Sequence, residues 1–479
     1  MHIDSLPVMG MLKVLSARFR ILICIFLLSS CASYYQSNYA FNQEFEKGNL
    51  SNALTTLQTN TSEANGKREF LFHVNNGLVL SMMGKYIESN EYFEKAFLFG
   101  EDYRKNYLYE AASYLTNPMV TTYKGEDHEH LMLLYYKALN FLKMGKTAEA
   151  LVECRRLNIR LQQLSDRYES ENKYQRDAFV HTLMGIIYEV DKDYNNAFIA
   201  YRNAVEIYKD DYYRLFQVTA PAQLKIDLLR TAFLSGMTEE LERYKQEFGM
   251  SDFNYLPKEG GELVFFWHNG LSPVKVEWGI TFMVSRRDNW MYFTNVELGL
   301  TFPFRMDDYN ENDKNGLRSL EFFRVAFPRY LERPAYFTSA SLSFQKEMIP
   351  LQLLEDVDKI AFQSLQQRMN LELSKALIRV ALKKATEYQV RKEDKMLGSM
   401  LGMINAITEK ADTRNWQTLP HSIYYARVPL SEGKNVLSLQ LQSNGREATE
   451  HQFTYEAKKG QILFHTFSSL ESGYPQYGY

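Results

Sequence analysis

The sequence predicts an α+β multidomain chain: an N-terminal solenoid of paired α-helices followed by an antiparallel β domain with an inserted helical segment. Three observations predict it. Small, bulky, glycine and aromatic residues recur in a fixed order through residues 35–250, the apolar period drops to two near Leu256, and helical spacing returns across 351–413. The composition suits a folded protein, with 45% hydrophobic and 24% charged residues. Only 12 Pro and 24 Gly among 479 residues leave little room for long linkers, and a formal net charge of −3 gives no whole-chain attraction to nucleic acid. The expected units are a targeting segment over 1–30, helical repeats over 31–255, a first β part over 256–350, a helical insertion over 351–413 and a second β part over 414–479.

The targeting segment has three parts. Lys13, Arg18 and Arg20 supply a positive start, and residues 21–28 form an unbroken apolar run of eight. A membrane-spanning helix needs about 20 such residues, so the run fits the apolar region of a secretory signal. Leu28-Ser29-Ser30-Cys31 follows and resembles the lipobox of bacterial lipoproteins. The resemblance implies that Cys31 becomes the first mature residue and carries lipid. One acyl chain anchors only marginally, whereas two or three hold a protein at the membrane. Ala32 follows in place of the Asp that favours inner-membrane retention in the enterobacterial pattern, and 32–36 holds no acidic residue that would mark surface export. The expected location is therefore the periplasmic face of the outer membrane. Cleavage removes one acidic and three basic side chains and takes the net charge from −3 to about −5. With Cys24 removed and Cys31 acylated, Cys154 is the one free thiol, so no intrachain disulfide is expected.

Within the helical segment, Gly77, Leu80, Gly84, Tyr86, Ser89, Phe93 and Ala96 follow one another at the spacing of small, bulky and turn positions in the tetratricopeptide repeat. Gly185, Tyr188, Tyr194, Ala197, Tyr201 and Ala204 do the same, with Lys192 in place of the turn glycine. Ala138, Phe141, Gly145, Ala150, Cys154 and Leu157 make a third unit, Phe41, Gly48, Ala53 and Leu57 a looser first one, and the stretch around Gly236 a capping hairpin. The small positions let two antiparallel helices approach, and the bulky ones fill the seam. This resembles a tetratricopeptide solenoid. The turn positions 48, 84, 145, 192 and 236 are unevenly spaced, which predicts lengthened helices or an extra one near Tyr103 to Tyr114.

Such modules hold other polypeptide on the inner face of their first helices. Here that face is expected to comprise Val74, Leu78, Met132, Tyr135, Leu139, Leu142, Phe179, Thr182, Ile186 and Glu189. Leu78, Leu139 and Ile186 stand where a groove that clamps a C-terminal carboxylate carries polar residues. Either another part of this chain covers the apolar surface, or a partner helix or extended peptide lies in it.

In the β region, 262–268 is followed by Asn269-Gly270, a hairpin signal. Val274, Val276, Trp278, Ile280 and Phe282 then alternate with polar or small residues. Further strands are expected near 292–302, 320–327, 335–344, 423–428, 436–441, 452–455 and 461–467, as in a sandwich or open barrel. Across 351–413, apolar residues at helical spacing predict two or three inserted helices. Lys383, Lys384, Arg391, Lys392 and Lys395 make the insertion locally basic, either as a solvated face or toward an anionic partner.

Tyr123-Lys124-Gly125-Glu126-Asp127, Ala220-Pro221, the 260–271 segment, the 376–385 helix with Arg379 and Lys384, and the 416–430 segment resemble a family of bacterial tetratricopeptide-type lipoproteins of the cell envelope. Some of its members are encoded beside activators of peptidoglycan synthases, so the resemblance implies a role in envelope assembly. It carries over no catalytic residue.

The remaining chemistry is sparse. His128 and His130 point to opposite sides of a regular helix and would share an ion only from a loop; otherwise, with Asp127, they begin an exposed acidic helix. Asp307-Asp308 lies in a loop with Asn310, Asn312 and Asn315 that offers oxygen ligands for Ca²⁺ but lacks EF-hand spacing, so a plain exposed turn is expected. His268, His421 and His465 read as satisfied polar residues. Nucleophile-elbow, zincin, P-loop and dinucleotide signatures are absent from the sequence. The expectation is a non-enzymatic, lipid-anchored scaffold without metal or cofactor, binding envelope proteins and no nucleic acid. The alternatives are a regulator of peptidoglycan synthesis and, less favoured, a glycan-acting enzyme. Mass spectrometry of the mature N-terminus checks the first step. The chain should begin at acylated Cys31, and Cys31→Ala should abolish acylation and cleavage; an unmodified Cys31 contradicts the reading.

Overall fold

A computed structural model describes residues 34–105, 121–165, 174, 176–256, 259–308, 311–318, 320–399, 401, 410–444 and 448–473. The targeting segment, Cys31 and most of the stretch near Tyr103 to Tyr114 lie outside the described residues.

Among the described residues, ten helices pair into five hairpins: α1 (Tyr39–Glu46) with α2 (Leu50–Thr59), α3 (Glu69–Met82) with α4 (Tyr86–Lys105), α5 (Asp127–Lys143) with α6 (Thr147–Ser165), α7 (Ala178–Val190) with α8 (Tyr194–Ile207), and α9 (Ala222–Leu234) with α10 (Thr238–Glu247). Each hairpin turns at a residue with positive φ: Gly48, Gly84, Gly145, Lys192 and Gly236. These are the five turn positions read from the sequence. The uneven spacing is taken up in part by long helices, α4 with 20 residues and α6 with 19. A π-helical turn, Tyr208–Tyr212, also extends α8.

The small positions behave as the repeat requires. A Cβ on Gly77 would sit 2.7 Å from the Phe93 ring, and one on Gly185 would sit 2.4 Å from the Tyr201 ring. Ser89 Oγ donates to the Gly77 carbonyl at 2.6 Å, so a second small residue closes the same seam from the opposite helix. Asp177 and Asp193 cap α7 and α8, each carboxylate accepting a backbone N–H of its helix's first turn.

Among the described residues, twelve strands form three four-stranded sheets. The first, in the order β12-β1-β9-β8, contains β1 (Gly261–Asn269), β8 (Gln352–Asp356), β9 (Ser422–Leu430) and β12 (Ile462–Ser469). The second, β11-β10-β6-β7, contains β6 (Ser339–Phe344), β7 (Glu347–Pro350), β10 (Gly433–Gln442) and β11 (Thr449–Ala457). The third, β4-β3-β2-β5, contains β2 (Val274–Arg287), β3 (Trp290–Asn295), β4 (Leu300–Arg305) and β5 (Phe322–Leu331).

The first two sheets make a sandwich cored by Leu263, Phe265, Trp267, Leu342, Val428, Leu437 and Leu439. The opposite face of the first sheet, with Val264, Phe266, Ile423 and Tyr425, packs on the solenoid. β1 is therefore buried along its whole length. The third sheet packs on α12 (Val357–Glu393) and the short α11 (Glu311–Arg318) through Phe282, Phe293, Val325, Leu373, Leu377 and Val380.

Four expectations need correction. The β part is not purely antiparallel, because β1 and β12 pair in parallel. Asn269-Gly270 does not close a hairpin between β1 and β2. β9 and β12 already occupy both edges of β1, so β2 must leave for another sheet. Gly270 keeps its positive φ, but in a corner fixed by Asn269 Nδ2 donating to the Phe337 carbonyl and Leu271 N–H donating to Ser472 Oγ. The single strand expected near 292–302 is the β3/β4 hairpin, turned at Gly299. The 351–413 insertion begins with strand β8 instead of helix; two of the two or three expected helices follow among the described residues, a short one over 395–399 and, before it, the 37-residue α12. That helix changes neighbours midway. Val357, Ile360 and Ala361 face the solenoid and the β5 end, whereas Leu373 to Ala385 face the third sheet. The apolar phase shifts while no Gly or Pro interrupts 357–393, so the backbone continues.

Two substitutions test the hairpin geometry by urea denaturation. Lys192→Gly should raise stability by about 0.5–1 kcal/mol by relieving a left-handed lysine. Gly185→Ala should lower it by about 1–3 kcal/mol by forcing a methyl into the Tyr201 ring.

Candidate functional site

The ten residues expected to line the inner face are all buried, none more than 6% exposed. The surface is covered by this chain's own C-terminal half. Val264 and Phe266 of β1, Leu354 of β8, Val357 and Ile360 of α12, Trp416, Leu419, and Ile423 and Tyr425 of β9 complete a single apolar core with Val74, Leu78, Met132, Tyr135, Leu139, Phe179 and Ile186. An open protein-binding groove is thus replaced by an intramolecular interface. Burying a large apolar side chain is worth roughly 1.5–3 kcal/mol, so an inner face this apolar stays covered.

Three buried polar clusters register the two halves. In the first, Arg427 of β9 reaches into the solenoid. Its guanidinium donates to Glu189 on α7 at 2.5 Å and lies 3.2 Å from Asp227 on α9 and 2.8 Å from Glu262 on β1. Arg230 of α9 holds Glu189 from the other side through Nε and Nη2, at 2.9 and 2.8 Å. Tyr201 donates to the same carboxylate at 2.6 Å. Burial pushes the Glu189 carboxyl up, but the charges of Arg230 and Arg427 outweigh it and hold the group below the usual carboxylate range. Glu189 thus serves as an ion-pair anchor on a face otherwise read as apolar.

The second cluster centres on α5. Glu126 and Glu129 form a capping box at its start. Glu126 also pairs with Lys275 of β2 and Arg368 of α12, whose charges overcome burial and lower its pKa. Glu129 accepts from Tyr123 Oη at 2.8 Å, from the Glu126 N–H at 3.0 Å and from the Trp416 N–H at 2.6 Å. Burial and the neighbouring Glu126 charge push its carboxyl up to about 7. His128, Glu129 and His130 are all buried, so the expectation of an exposed acidic helix start is overturned. His130 Nε2 lies 2.8 Å from the Lys124 carbonyl, and its ring packs on Phe70, away from any ion shared with His128.

The third cluster joins two carboxylates. Tyr212 Oη lies 3.1 Å from Asp177 and 2.8 Å from Glu355 of β8, and Tyr174 donates to Asp177 at 2.6 Å. Burial raises the pKa of both acids. Beside them, His128, Tyr135, Phe179 and Ile360 help to enclose a cavity of about 20 Å³, room for about one water molecule.

The remaining histidines follow the same logic. Tyr135 Oη lies 2.8 Å from His268 Nε2, joining α5 to β1. Burial pushes the His268 imidazole down to about 3, and His465 to about 4.

Sequence reasoning missed Arg427, Glu262, Asp227, Arg230 and Glu355. A usable signal was present in Leu263-Val264-Phe265-Phe266-Trp267, an apolar run without alternation that marks a strand covered on both faces.

No protein-family profile and no curated protein matches the chain. Solved structures with partial likeness include the apo form of RapI, at 15% identity over 43% of this chain and 49% of that one, with a TM-score of 0.31. The chain thus spans about half the length of RapI. BtubC from P. vanneervenii matches at 15% identity over 46% of this chain and 81% of its own, with a TM-score of 0.30. A tetratricopeptide repeat protein from Parabacteroides merdae matches at 14% identity over 45% and 92%, with a TM-score of 0.16. None of these scores reaches the level of a shared overall fold, and the repeat architecture stands on the hairpin geometry of this chain.

The buried histidines give the interface an acid limit. His268 is neutral when folded, and its folded value of about 3 lies below the ordinary 6.5. Its contribution to stability is therefore present above pH 6.5 and is lost progressively as pH falls toward 3. Unfolding free energies from urea titrations at pH 7 and pH 5 should differ less in His268→Gln than in the wild type, by up to about 2 kcal/mol. An unchanged difference contradicts the assignment.

Proposed function

We propose that this protein is a non-enzymatic scaffold of the cell envelope. Lipid on Cys31 tethers it to the periplasmic face of the outer membrane, and it holds an envelope protein there. The supporting observation is the closure of the solenoid on its own β half, which makes one platform out of two modules. The ten expected inner-face residues are buried, eight of them in the core shared with the β half, and charged clusters fix the fit. The anchoring part of the reading draws on the lipobox-like Leu28-Ser29-Ser30-Cys31. Among the described residues, no helix is long and apolar enough to cross a membrane.

With the inner face occupied, a partner meets the outer helices. Ile87 and Leu98 on α4, Val152 and Ile159 on α6, and Ile199 on α8 stand exposed there. Apolar side chains on an outer solenoid surface give a protein partner contacts that water does not reward. Site-specific photocrosslinking in intact cells tests this. A crosslinker at Ile87, Ile159 or Ile199 should give a discrete adduct with an envelope protein, and one at Leu139 should give only intramolecular products. Intermolecular adducts from Leu139, or none from the outer positions, would refute the proposal.

A further inference from the structure

Away from the three clusters, Glu332, Asp358 and His421 meet where the third sheet, the long helix and the first sheet adjoin. Glu332 follows β5, Asp358 lies in the first turn of α12, and His421 immediately precedes β9. The backbone holds two of them together, since the Val357 and Asp358 N–H groups both donate to the His421 carbonyl, at 3.0 and 3.2 Å. The His421 N–H in turn donates to the Asn269 carbonyl at 3.0 Å.

The side chains converge without bonding. His421 Nε2 lies 3.6 Å from Glu332 Oε1 and 3.8 Å from Asp358 Oδ2, too far for hydrogen bonds. One ligand atom from each residue lies within 4.8 Å of the other two. Asp358 is only 3% exposed, and neither of its carboxylate oxygens has a hydrogen-bond partner. Buried carboxylates are ordinarily paired or coordinated. Arg333, whose charge acts on Asp358, does not answer this need. Arg333 donates to the Ser272 and Gln417 carbonyls and to Glu46, and is engaged on all three of its nitrogens.

We propose that Glu332, Asp358 and His421 form a binding site for a divalent transition-metal ion of the zinc class. An imidazole with two carboxylates is a donor set for such an ion rather than for calcium or magnesium. Two carboxylates balance its charge. Ligand atoms around a tetrahedral zinc ion stand about 3.4 Å apart, so the two separations from His421 Nε2 close by a few tenths of an ångström. His421 Nδ1 lies 3.1 Å from Ser422 Oγ, and donation there leaves Nε2 free to ligate. Glu332 has a 59% exposed side chain, which gives the ion an entry path and leaves one position open to water. The ion adds a cross-link among three segments, two of which already hydrogen-bond through the His421 backbone.

Calorimetric titration of Zn²⁺ into the chelator-treated mature chain tests the site, with Co²⁺ absorption as a second reading. The wild type should bind one Zn²⁺ per chain and give visible Co²⁺ bands. His421→Ala and Glu332→Gln should weaken Zn²⁺ at least about tenfold, and His421→Ala should lose the Co²⁺ bands. Glu332 is exposed, so its variant keeps the fold and separates lost ligation from lost structure. Absence of a one-equivalent Zn²⁺ site in the wild type, or wild-type affinity in both variants, overturns the proposal.

Discussion

A guanidinium buried between two modules is the constraint on which the architecture turns. Arg427 leaves the first sheet and meets Glu189 and Asp227 of the solenoid, with its own side chain 1% exposed. Removing one partner of such a pair costs about 3–5 kcal/mol, whereas replacing the whole group with apolar residues is often neutral. Arg427 is therefore better placed to fix register than to add net stability. A slip of one residue in β9 would send it into the sandwich core, among side chains such as Leu263, Phe265 and Leu437, and away from Glu189 and Asp227.

The other polar contacts repeat this arrangement along the interface. Glu126 draws in Lys275 and Arg368, and Trp416 donates its backbone N–H to Glu129. Each contact joins a helix of the solenoid to a different C-terminal segment. The apolar surface between them supplies attraction without direction, and the ions and hydrogen bonds supply the direction. Folding must then bring together residues more than two hundred positions apart, as in Glu189 with Arg427.

The repeats were legible because local rules govern them. A turn between antiparallel helices needs positive φ, and glycine or its substitute Lys192 marks each one in the sequence. Gly77 and Gly185 likewise announce the bulky rings that cross them. What was not legible depends on competition between distant segments. Asn269-Gly270 obeys the hairpin rule locally, but β9 and β12 take both edges of β1 first. The two helical stretches that meet near Met369 are one helix whose apolar face changes partner there, which mimics a break. Glu189 was identified as a lining residue, but its role depends on Arg427, and a pairing across 238 positions leaves no local pattern.

A double-mutant cycle between Glu189→Gln and Arg427→Met, read by urea denaturation, tests the closed interface most directly. Closure of the solenoid on its own β half predicts a coupling energy of about 2 kcal/mol or more. Additive effects, with coupling near zero, would show that the two side chains do not meet and that the inner face lies open.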